Sequence, residues 1–190
     1  MNNTLFSIRD ILRYILILSM LVIGAPSVAQ TIVYPSNGTN NELFAAKEVR
    51  RYIYLRTDQK LPVQGVTNLP ESGDLILVAN DNNSMVNSLR DEINHTTTKG
   101  SIIIKSVESD GRNILVITGN NSASTLIAAY RFAEHLGVGF DLAGDAIPDV
   151  KVPLSITGFD EAGERRFETA GFLPFHDFYA GPDIYSTDDY

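Results

Sequence analysis

The stretch Asp74-Leu75-Ile76-Leu77-Val78-Ala79-Asn80 carries the clearest structural signal in this sequence. Its apolar residues are consecutive, and they lie between Gly73 and Asp81, two residue types that are common in turns. A continuous apolar run of this length is typical of a strand that is central in a sheet or covered on both faces. The stretch therefore predicts a sheet whose middle is buried.

A second pair of apolar runs predicts how part of this sheet is connected. Residues Ile102 to Val107 and Asn113 to Thr118 flank the segment Glu108-Ser109-Asp110-Gly111-Arg112. An Asp-Gly pair between two strand-like runs is a strong signal for a β-hairpin. Because a hairpin joins antiparallel strands, the sheet is expected to be mixed rather than purely parallel.

Upstream of these strands, the sequence predicts an amphipathic helix that begins near Asn41, its expected N-cap. Apolar residues recur there at spacings of three and four, and charged residues occupy the other positions. The predicted apolar stripe is Leu43, Ala46, Val49, Tyr52 and Ile53, and the predicted polar face is Lys47, Glu48, Arg50 and Arg51.

Downstream, the strongest helix prediction covers Ser122 to Leu136, with Gly137 as its left-handed stop. The expected buried side of this helix is Leu126, Ile127, Tyr130, Ala133 and Leu136. A weaker and shorter helix is expected over Ser84 to Ile93.

Further strands are predicted over Thr31 to Tyr34 and Val138 to Leu142, whereas Asp160 to Arg166 is interpreted as a polar connector. The order of elements predicts an α+β fold, in which a mixed β-sheet has helices packed against it. We expect three parts in the chain: a signal peptide at 1–29, an alpha/beta domain at 30–160, and a linker with the start of another domain at 161–190.

Composition and charge exclude several classes of protein. The 190 residues include no Cys, which excludes disulfide scaffolds, Cys-ligated zinc sites and thiol catalysis. Fifteen basic residues are outnumbered by 23 acidic ones, and the formal charge is -8. Nucleic-acid binding requires clustered Lys and Arg, so a nucleic-acid partner is not expected.

The first 29 residues are typical of an export signal. Arg9 and Arg13 precede an apolar stretch from Tyr14 to Ala25, and Ser27-Val28-Ala29 supplies the small residues that precede a cleavage site. The apolar stretch is shorter than the ~18 to 20 residues of a membrane-spanning helix, which makes an uncleaved anchor the lesser alternative. The protein is therefore expected to be periplasmic or extracellular, with no membrane partner after cleavage.

Two motifs within the predicted domain have ordinary structural interpretations. Gly119 to Ser124 lies between a strand and a helix, as a phosphate-binding loop would, but it lacks the Lys and the glycine spacing of one. A helix cap at Asn121 or Ser122 is the favoured interpretation. His95 and His135 show no metal-ligand spacing with a second His, so neither a metal nor a cofactor is predicted.

The segment from Gly171 to Asp183 combines aromatic residues, the pair His176-Asp177 and a Gly-Pro turn. Sugar sites use aromatic rings for the apolar face of the sugar and carboxylates for its hydroxyls or for acid–base chemistry. From the residue types alone, a packed aromatic loop with a solvated acidic tail remains an open alternative.

Several of these runs resemble the N-terminal domain of family 67 alpha-glucuronidases and family 20 beta-hexosaminidases. The resemblance covers most of residues 31 to 155 and is carried by Ala45 to Ile53, Lys60 to Val63, Thr125 to Tyr130, Leu136 to Phe140, Gly144-Asp145 and Ile147-Pro148. It implies a non-catalytic alpha/beta domain in front of a TIM barrel that hydrolyses glycosides.

The tail from Phe167 to Phe178 is similar to the first barrel strand of alpha-glucuronidase-like enzymes. By this resemblance, His176 and Asp177 would contact the sugar, which would be a glycan or an oligosaccharide containing uronic acid. The catalytic carboxylates would come from later strands, so they cannot be assigned in this chain, which we expect to be truncated and inactive alone.

Three functional hypotheses follow. The first is an exported accessory domain of a glycoside hydrolase, of alpha-glucuronidase type or alternatively of hexosaminidase type. The second is a free-standing module that binds carbohydrate or acts as a scaffold. The third is a membrane-tethered interaction domain.

Overall fold

The computed structural model describes residues 30–141 and 144–164 and contains one main sheet with a helical layer on each face. The strands of the main sheet are β1 (Thr31–Pro35), β2 (Val63–Val66), β3 (Leu75–Asn80), β4 (Ile102–Ser109), β5 (Arg112–Gly119) and β8 (Asp160–Gly163). The helices are α1 (Asn40–Thr57), α2 (Ser84–Asn87), α3 (Arg90–Ile93) and α4 (Ser122–His135). Strands β6 (Gly139–Asp141) and β7 (Gly144–Ala146) form a separate hairpin.

The main sheet is mixed, as the sequence predicts. Its order is β2-β1-β3-β5-β4-β8, with parallel pairing from β2 to β5 and antiparallel pairing of β4 with both β5 and β8. The predicted α+β fold class is thereby confirmed.

Strand β3 shows why the run at 74–80 is apolar throughout. Ile76 and Val78 lie in a core with α1 and α4, whereas Leu75 and Leu77 lie in a second core with α2 and α3. Successive side chains of a strand point to opposite faces, so a strand covered on both faces needs apolar residues at every position.

The predicted hairpin is also confirmed, with a tighter turn than the sequence indicated. Strands β4 and β5 pair as far as Ser109 and Arg112, so only Asp110 and Gly111 form the loop. Both have positive φ, at 53° and 73°, as a two-residue type I′ turn requires.

Helix α1 begins two residues earlier than predicted, because Thr39 and not Asn41 is its N-cap. The Thr39 hydroxyl accepts a hydrogen bond from the Glu42 amide at 3.3 Å, and Glu42 Oε2 accepts one from the Thr39 amide at 2.8 Å. This reciprocal capping box satisfies two amide donors at once, which a lone Asn side chain would not do. Glu48 was assigned to the polar face but is buried.

Helix α4 begins after the predicted cap Asn121, and Gly137 has a positive φ of 85° as predicted. Its predicted buried stripe is confirmed for Ala133 and Leu136 but was wrong for the other three residues, since Ile127 is exposed and both Leu126 and Tyr130 are only half-buried. Small residues instead face the sheet and α1, which allows the helix to lie close: Ser124, Thr125, Ala128, Ala129 and Ala133, together with Phe132. A Cβ on Gly119 would lie 2.4 Å from the Ser124 carbonyl carbon, so this close approach also requires glycine.

Three further predictions need correction. The helix expected over Ser84 to Ile93 is two single turns, α2 and α3, interrupted where the Ser88 hydroxyl donates to the Met85 carbonyl. The strand expected over Val138 to Leu142 includes β6, which pairs with β7 and not with the main sheet. Part of the expected connector at 160–166 is the edge strand β8, whose register pairs Lys105 with Asp160.

Within residues 30–141 and 144–164, no helix is long and apolar enough to cross a bilayer.

Candidate functional site

Several predicted functional residues lie outside the described residues. His176, Asp177 and the rest of the aromatic tail fall in this category, as do the predicted signal peptide and the start of the barrel. The predictions for them stand as stated from the sequence.

In the loop at Gly119 to Ser124, the Asn side chains form hydrogen bonds with nearby groups of the domain. Asn121 Oδ1 accepts a hydrogen bond from the Ser124 amide at 2.9 Å, which confirms the cap interpretation. Asn120 Oδ1 accepts from the Gly100 amide at 3.0 Å and from the Ser124 hydroxyl at 3.1 Å. These oxygens are therefore occupied by the protein itself.

His95 and His135 both contact the edge strand β8. His95 Nε2 lies 2.7 Å from Asp160 Oδ1, and Lys105 Nζ lies 2.8 Å from Asp160 Oδ2. Hydrogen bonds from His95 and Lys105 hold the pKa of Asp160 below its ordinary value.

The neighbouring carboxylate has a similar set of partners. His135 Nε2 lies 2.5 Å from Glu161 Oε2, and Arg131 Nε lies 2.7 Å from Glu161 Oε1. Burial opposes the shift, but the hydrogen bonds from Arg131 and His135 lower the pKa of Glu161. Neither His joins a metal-binding group, and the described part of the chain contains no cluster of three or more possible metal ligands.

The strongest candidate for a binding site is an open groove of about 520 Å³ along the outer surface of α1, which we name the α1 groove. Two exposed aromatic residues, Phe44 and Tyr54, line it, with 46% and 49% of their surfaces exposed. Charged side chains form the rest of the lining: Lys47, Glu48, Arg50, Arg51 and Lys60. Exposed aromatic residues on the polar side of a helix indicate a binding surface more strongly than a single exposed aliphatic residue does.

One wall of the α1 groove is held in place by a polar network around Arg51. Its guanidinium donates to Tyr52 Oη at 2.8 Å, to Asp145 Oδ2 at 3.0 Å and to Glu48 Oε2 at 3.2 Å. Tyr52 Oη also donates to Asp145 Oδ2 at 2.8 Å. Burial opposes the shift, but Tyr52, Glu48 and Asp145 raise the pKa of Arg51, so its positive charge is fixed.

Aromatic rings lie beneath this network. Tyr52, Tyr130 and Phe140 contact one another edge to face, with ring centroids 5.3 to 6.2 Å apart. Burial and the nearby Glu48 carboxylate raise the pKa of Tyr130, which is hydrogen-bonded to Glu48. The cluster attaches the β6–β7 hairpin to the two helices.

The remaining cations of the groove differ from Arg51. Lys47, Arg50 and Lys60 have no hydrogen-bond or ion-pair partner among residues 30–141 and 144–164. Every other Lys or Arg of the described residues has such an interaction. The unpartnered cations of the described fold are thus concentrated in a single groove.

The helical pattern of the sequence predicts Lys47, Arg50 and Arg51 on the polar face, but it does not indicate the groove. Phe44 and Tyr54 were the available signal, because both aromatic residues fall at polar positions of the helical pattern. Lys60 could not be added from the sequence, since it follows the helix and approaches the site only through the turn after Thr57.

No protein-family model matches this chain, and no curated protein matches it. Among solved structures, a family GH115 4-O-methyl-alpha-glucuronidase, BtGH115A, with specificity for decorated arabinogalactans, matches with 16% identity and a TM-score of 0.47. That match covers 70% of this chain and 17% of the enzyme. CpGH84D matches with 11% identity and a TM-score of 0.42, over 57% of this chain and 18% of that one.

Both structures are glycoside hydrolases, and this chain spans less than a fifth of either. Identities and TM-scores this low do not determine the function of this chain. The relation to family 67 stays a prediction from the sequence.

Proposed function

We propose that residues 30–164 form a non-catalytic domain of an exported glycoside hydrolase of the alpha-glucuronidase type. The proposal is supported by the sequence resemblance, whose two longest runs, Ala45 to Ile53 and Thr125 to Tyr130, lie in α1 and in α4. These two helices pack against each other and share one core on one face of the sheet. The two longest runs that carry the resemblance therefore belong to one structural layer.

The observation that carries the non-catalytic assignment is that six carboxylates of this domain are held by its own amides and side chains. A glycosidase usually needs two carboxyl groups that face a bound sugar, one of them free to give up a proton. Here, Glu42 caps α1, Asp74 accepts from the Asn113 amide at 2.9 Å, and Asp81 pairs with Arg90 at 2.6 Å. Asp145, Asp160 and Glu161 are likewise held by side chains of the domain.

Export is part of the same proposal and is supported by the sequence of residues 1 to 29. Cleavage after Ala29 would leave Gln30 as the first residue, immediately before β1. Determination of the N-terminus of the protein from its host tests this part. A terminus at Gln30 is expected, and an intact Met1 in a membrane fraction would support the tethered alternative instead.

The catalytic part of the proposal is tested with the full 190-residue chain and a panel of aryl glycosides, including glucuronides. We expect no turnover, because the catalytic carboxylates are proposed to lie in a barrel that would follow this domain. Turnover that is lost in His176→Ala would contradict the proposal. An antibody to residues 30–164 should also detect a protein several times larger than this chain in the native host.

A second candidate function is a free-standing carbohydrate-binding module, and the α1 groove favours it. In that case, the antibody would detect a protein of the size of this chain, and glycan binding would be its activity. The mass measurement therefore separates the two candidates without any choice of substrate.

A further inference from the structure

We propose that the α1 groove is a binding site for an anionic glycan, a chain of sugars that bear carboxylates. The choice of a glycan rests on the proposed function, whereas the anionic character of the ligand rests on the groove itself. The residues that line this site lie between Phe44 and Lys60, and they do not include His176 or Asp177, for which sugar contacts are predicted from the sequence.

The α1 groove is positively charged. The groove contains four cationic side chains and one carboxylate, a formal charge of +3 in a chain whose formal charge is -8. Arg51 compensates the carboxylate of Glu48 at 3.2 Å, so Glu48 repels an incoming anion only weakly. Lys47, Arg50 and Lys60 retain full capacity to pair with ligand carboxylates.

Lys47, Arg50 and Lys60 have no partner within residues 30–141 and 144–164, which is informative because acidic residues are abundant in this chain. In a domain with more acidic than basic residues, the other described cations all find a partner. Local concentration of unpartnered positive charge raises the local concentration of anionic ligands and their rate of association.

The exposed aromatic rings indicate that the ligand has an apolar surface as well as a negative charge. Phe44 and Tyr54 are about half exposed and lie on the same outer surface as the cations. A sugar ring has an apolar face that can pack on an aromatic ring, while its carboxylate reaches a neighbouring cation. A simple inorganic anion would gain nothing from the rings.

The shape of the groove favours a chain of sugars over a single one. It is open and runs along α1 from Phe44 past Tyr54 to Lys60, a distance of more than two helical turns. Nucleic acid is the competing ligand with anionic charge and flat apolar faces. Proteins that bind nucleic acid neutralise many phosphates with clustered Lys and Arg, and the four cations of the α1 groove are few for that purpose.

The test is a calorimetric titration of the full chain with the hexamer of galacturonic acid, with cellohexaose as the neutral glycan and a thymidine oligonucleotide as the polyanion. We expect saturable binding of the galacturonic acid hexamer, which weakens as salt is raised because exposed charge pairs are screened. Cellohexaose and the oligonucleotide should bind at least roughly tenfold more weakly, a difference equivalent to about 1.4 kcal/mol.

Two sets of variants locate the site. Lys47→Gln with Lys60→Gln should weaken binding of the galacturonic acid hexamer by roughly tenfold, and Phe44→Ala or Tyr54→Ala by about three- to tenfold. The matched controls are Lys151→Gln, an exposed cation paired with Asp58, and Ile127→Ala, an exposed apolar residue on α4. Both controls should bind like the unmodified chain, and circular dichroism should confirm that all variants are folded.

Several outcomes would overturn this inference. These are no binding of the galacturonic acid hexamer, equal binding of the oligonucleotide, and equal weakening by Lys151→Gln. None of them bears on the proposed non-catalytic domain, which is tested by turnover and by the mass of the native protein, whereas absence of binding would also remove the support for a free-standing carbohydrate-binding module. Conversely, turnover by this chain would contradict the proposed function and would leave the binding result at the α1 groove intact.

Discussion

The two sides of α1 differ in what their charged side chains do. On the inner side, Glu42 and Arg56 are almost fully buried, with 1% and 3% of their surfaces exposed, and both are satisfied by several hydrogen bonds. On the outer side, Lys47 is exposed and unpartnered within the described part of the chain, and so is Lys60, which follows the helix and lines the same groove. A buried charge must be paired or hydrogen-bonded, and an exposed one need not be. The inner charges therefore maintain the fold, whereas the outer ones are available for recognition.

The largest effect is expected from Arg56→Ala, on the inner side. Arg56 Nε donates to the Leu136 carbonyl at 2.7 Å, and its Nη1 donates to the Pro148 carbonyl. The substitution leaves both carbonyls without these donors and opens a cavity, so the free energy of unfolding should fall by about 2–4 kcal/mol. Urea denaturation measures this free energy. Arg50→Ala on the outer side is the control. A loss of similar size in Arg50→Ala would show that inner and outer charges of α1 do not differ in their contribution to stability.

The next effect is expected from Glu42→Gln, which preserves the shape of the side chain. Both carboxylate oxygens accept hydrogen bonds, Oε2 from Thr39 and Oε1 from the amide and the side chain of Asn80 at 2.9 Å. A Gln side chain would direct its NH2 group at donors, so the free energy of unfolding should fall by about 1–3 kcal/mol.

Thermal and urea unfolding of Glu42→Gln can be compared with Glu92→Gln, an exposed carboxylate on α3. An unchanged stability in Glu42→Gln would show that the capping box does not need the charge.

A smaller effect extends the comparison to the sheet edge, where Glu161 also has protein partners. Its folded pKa is lowered relative to the ordinary value of 4.5. The corresponding stability is therefore fully present above about pH 4.5 and is lost as the pH falls through the lowered folded value. In Glu161→Gln this contribution is missing, so the stability difference from the unmodified chain should shrink between neutral pH and acid.

Urea unfolding at a series of pH values measures this difference. The observation that would contradict the account is a difference that stays constant, or grows, as the pH falls below 4.5.

The smallest effect on stability is expected from Lys47→Gln with Lys60→Gln. Because neither amine has a partner in the described fold, the free energy of unfolding should change by no more than about 0.5 kcal/mol. Differential scanning calorimetry of the double variant and the unmodified chain measures this change in stability. A large loss would mean that these cations stabilise the fold, which would remove the reason to assign them to a ligand.

The sequence predicted well those parts of the fold that are determined by residues close to one another in the chain. The apolar run at 74–80, the Asp110-Gly111 turn and the Gly137 stop each reflect a backbone or burial requirement within a few residues. Strand β8 has no such signal, since Asp160 and Glu161 are polar and are held by side chains from distant parts of the chain. Long-range pairing of this kind cannot be predicted from the pattern of the strand itself.

The candidate site was only partly predictable for the same reason. The cations of α1 follow from the helical period, but whether a cation has a partner depends on the tertiary fold. Arg51 and Arg50 are neighbours of the same type, yet only Arg51 reaches Asp145, which comes from the β6–β7 hairpin. The buried stripe of α4 was misjudged because close packing against α1 selects small residues over large apolar ones.

The most direct test of the α1 groove is a nuclear magnetic resonance titration of the isotopically labelled full chain with the hexamer of galacturonic acid. We expect saturable shift changes concentrated in the amides from Phe44 to Lys60. Little change is expected at a second, more polar pocket, in which Arg90 and His95 already have partners; its lining is Arg90, Asp91, Asn94, His95 and Thr96. No shift changes at α1, or changes centred on Arg90 to Thr96, would contradict this prediction.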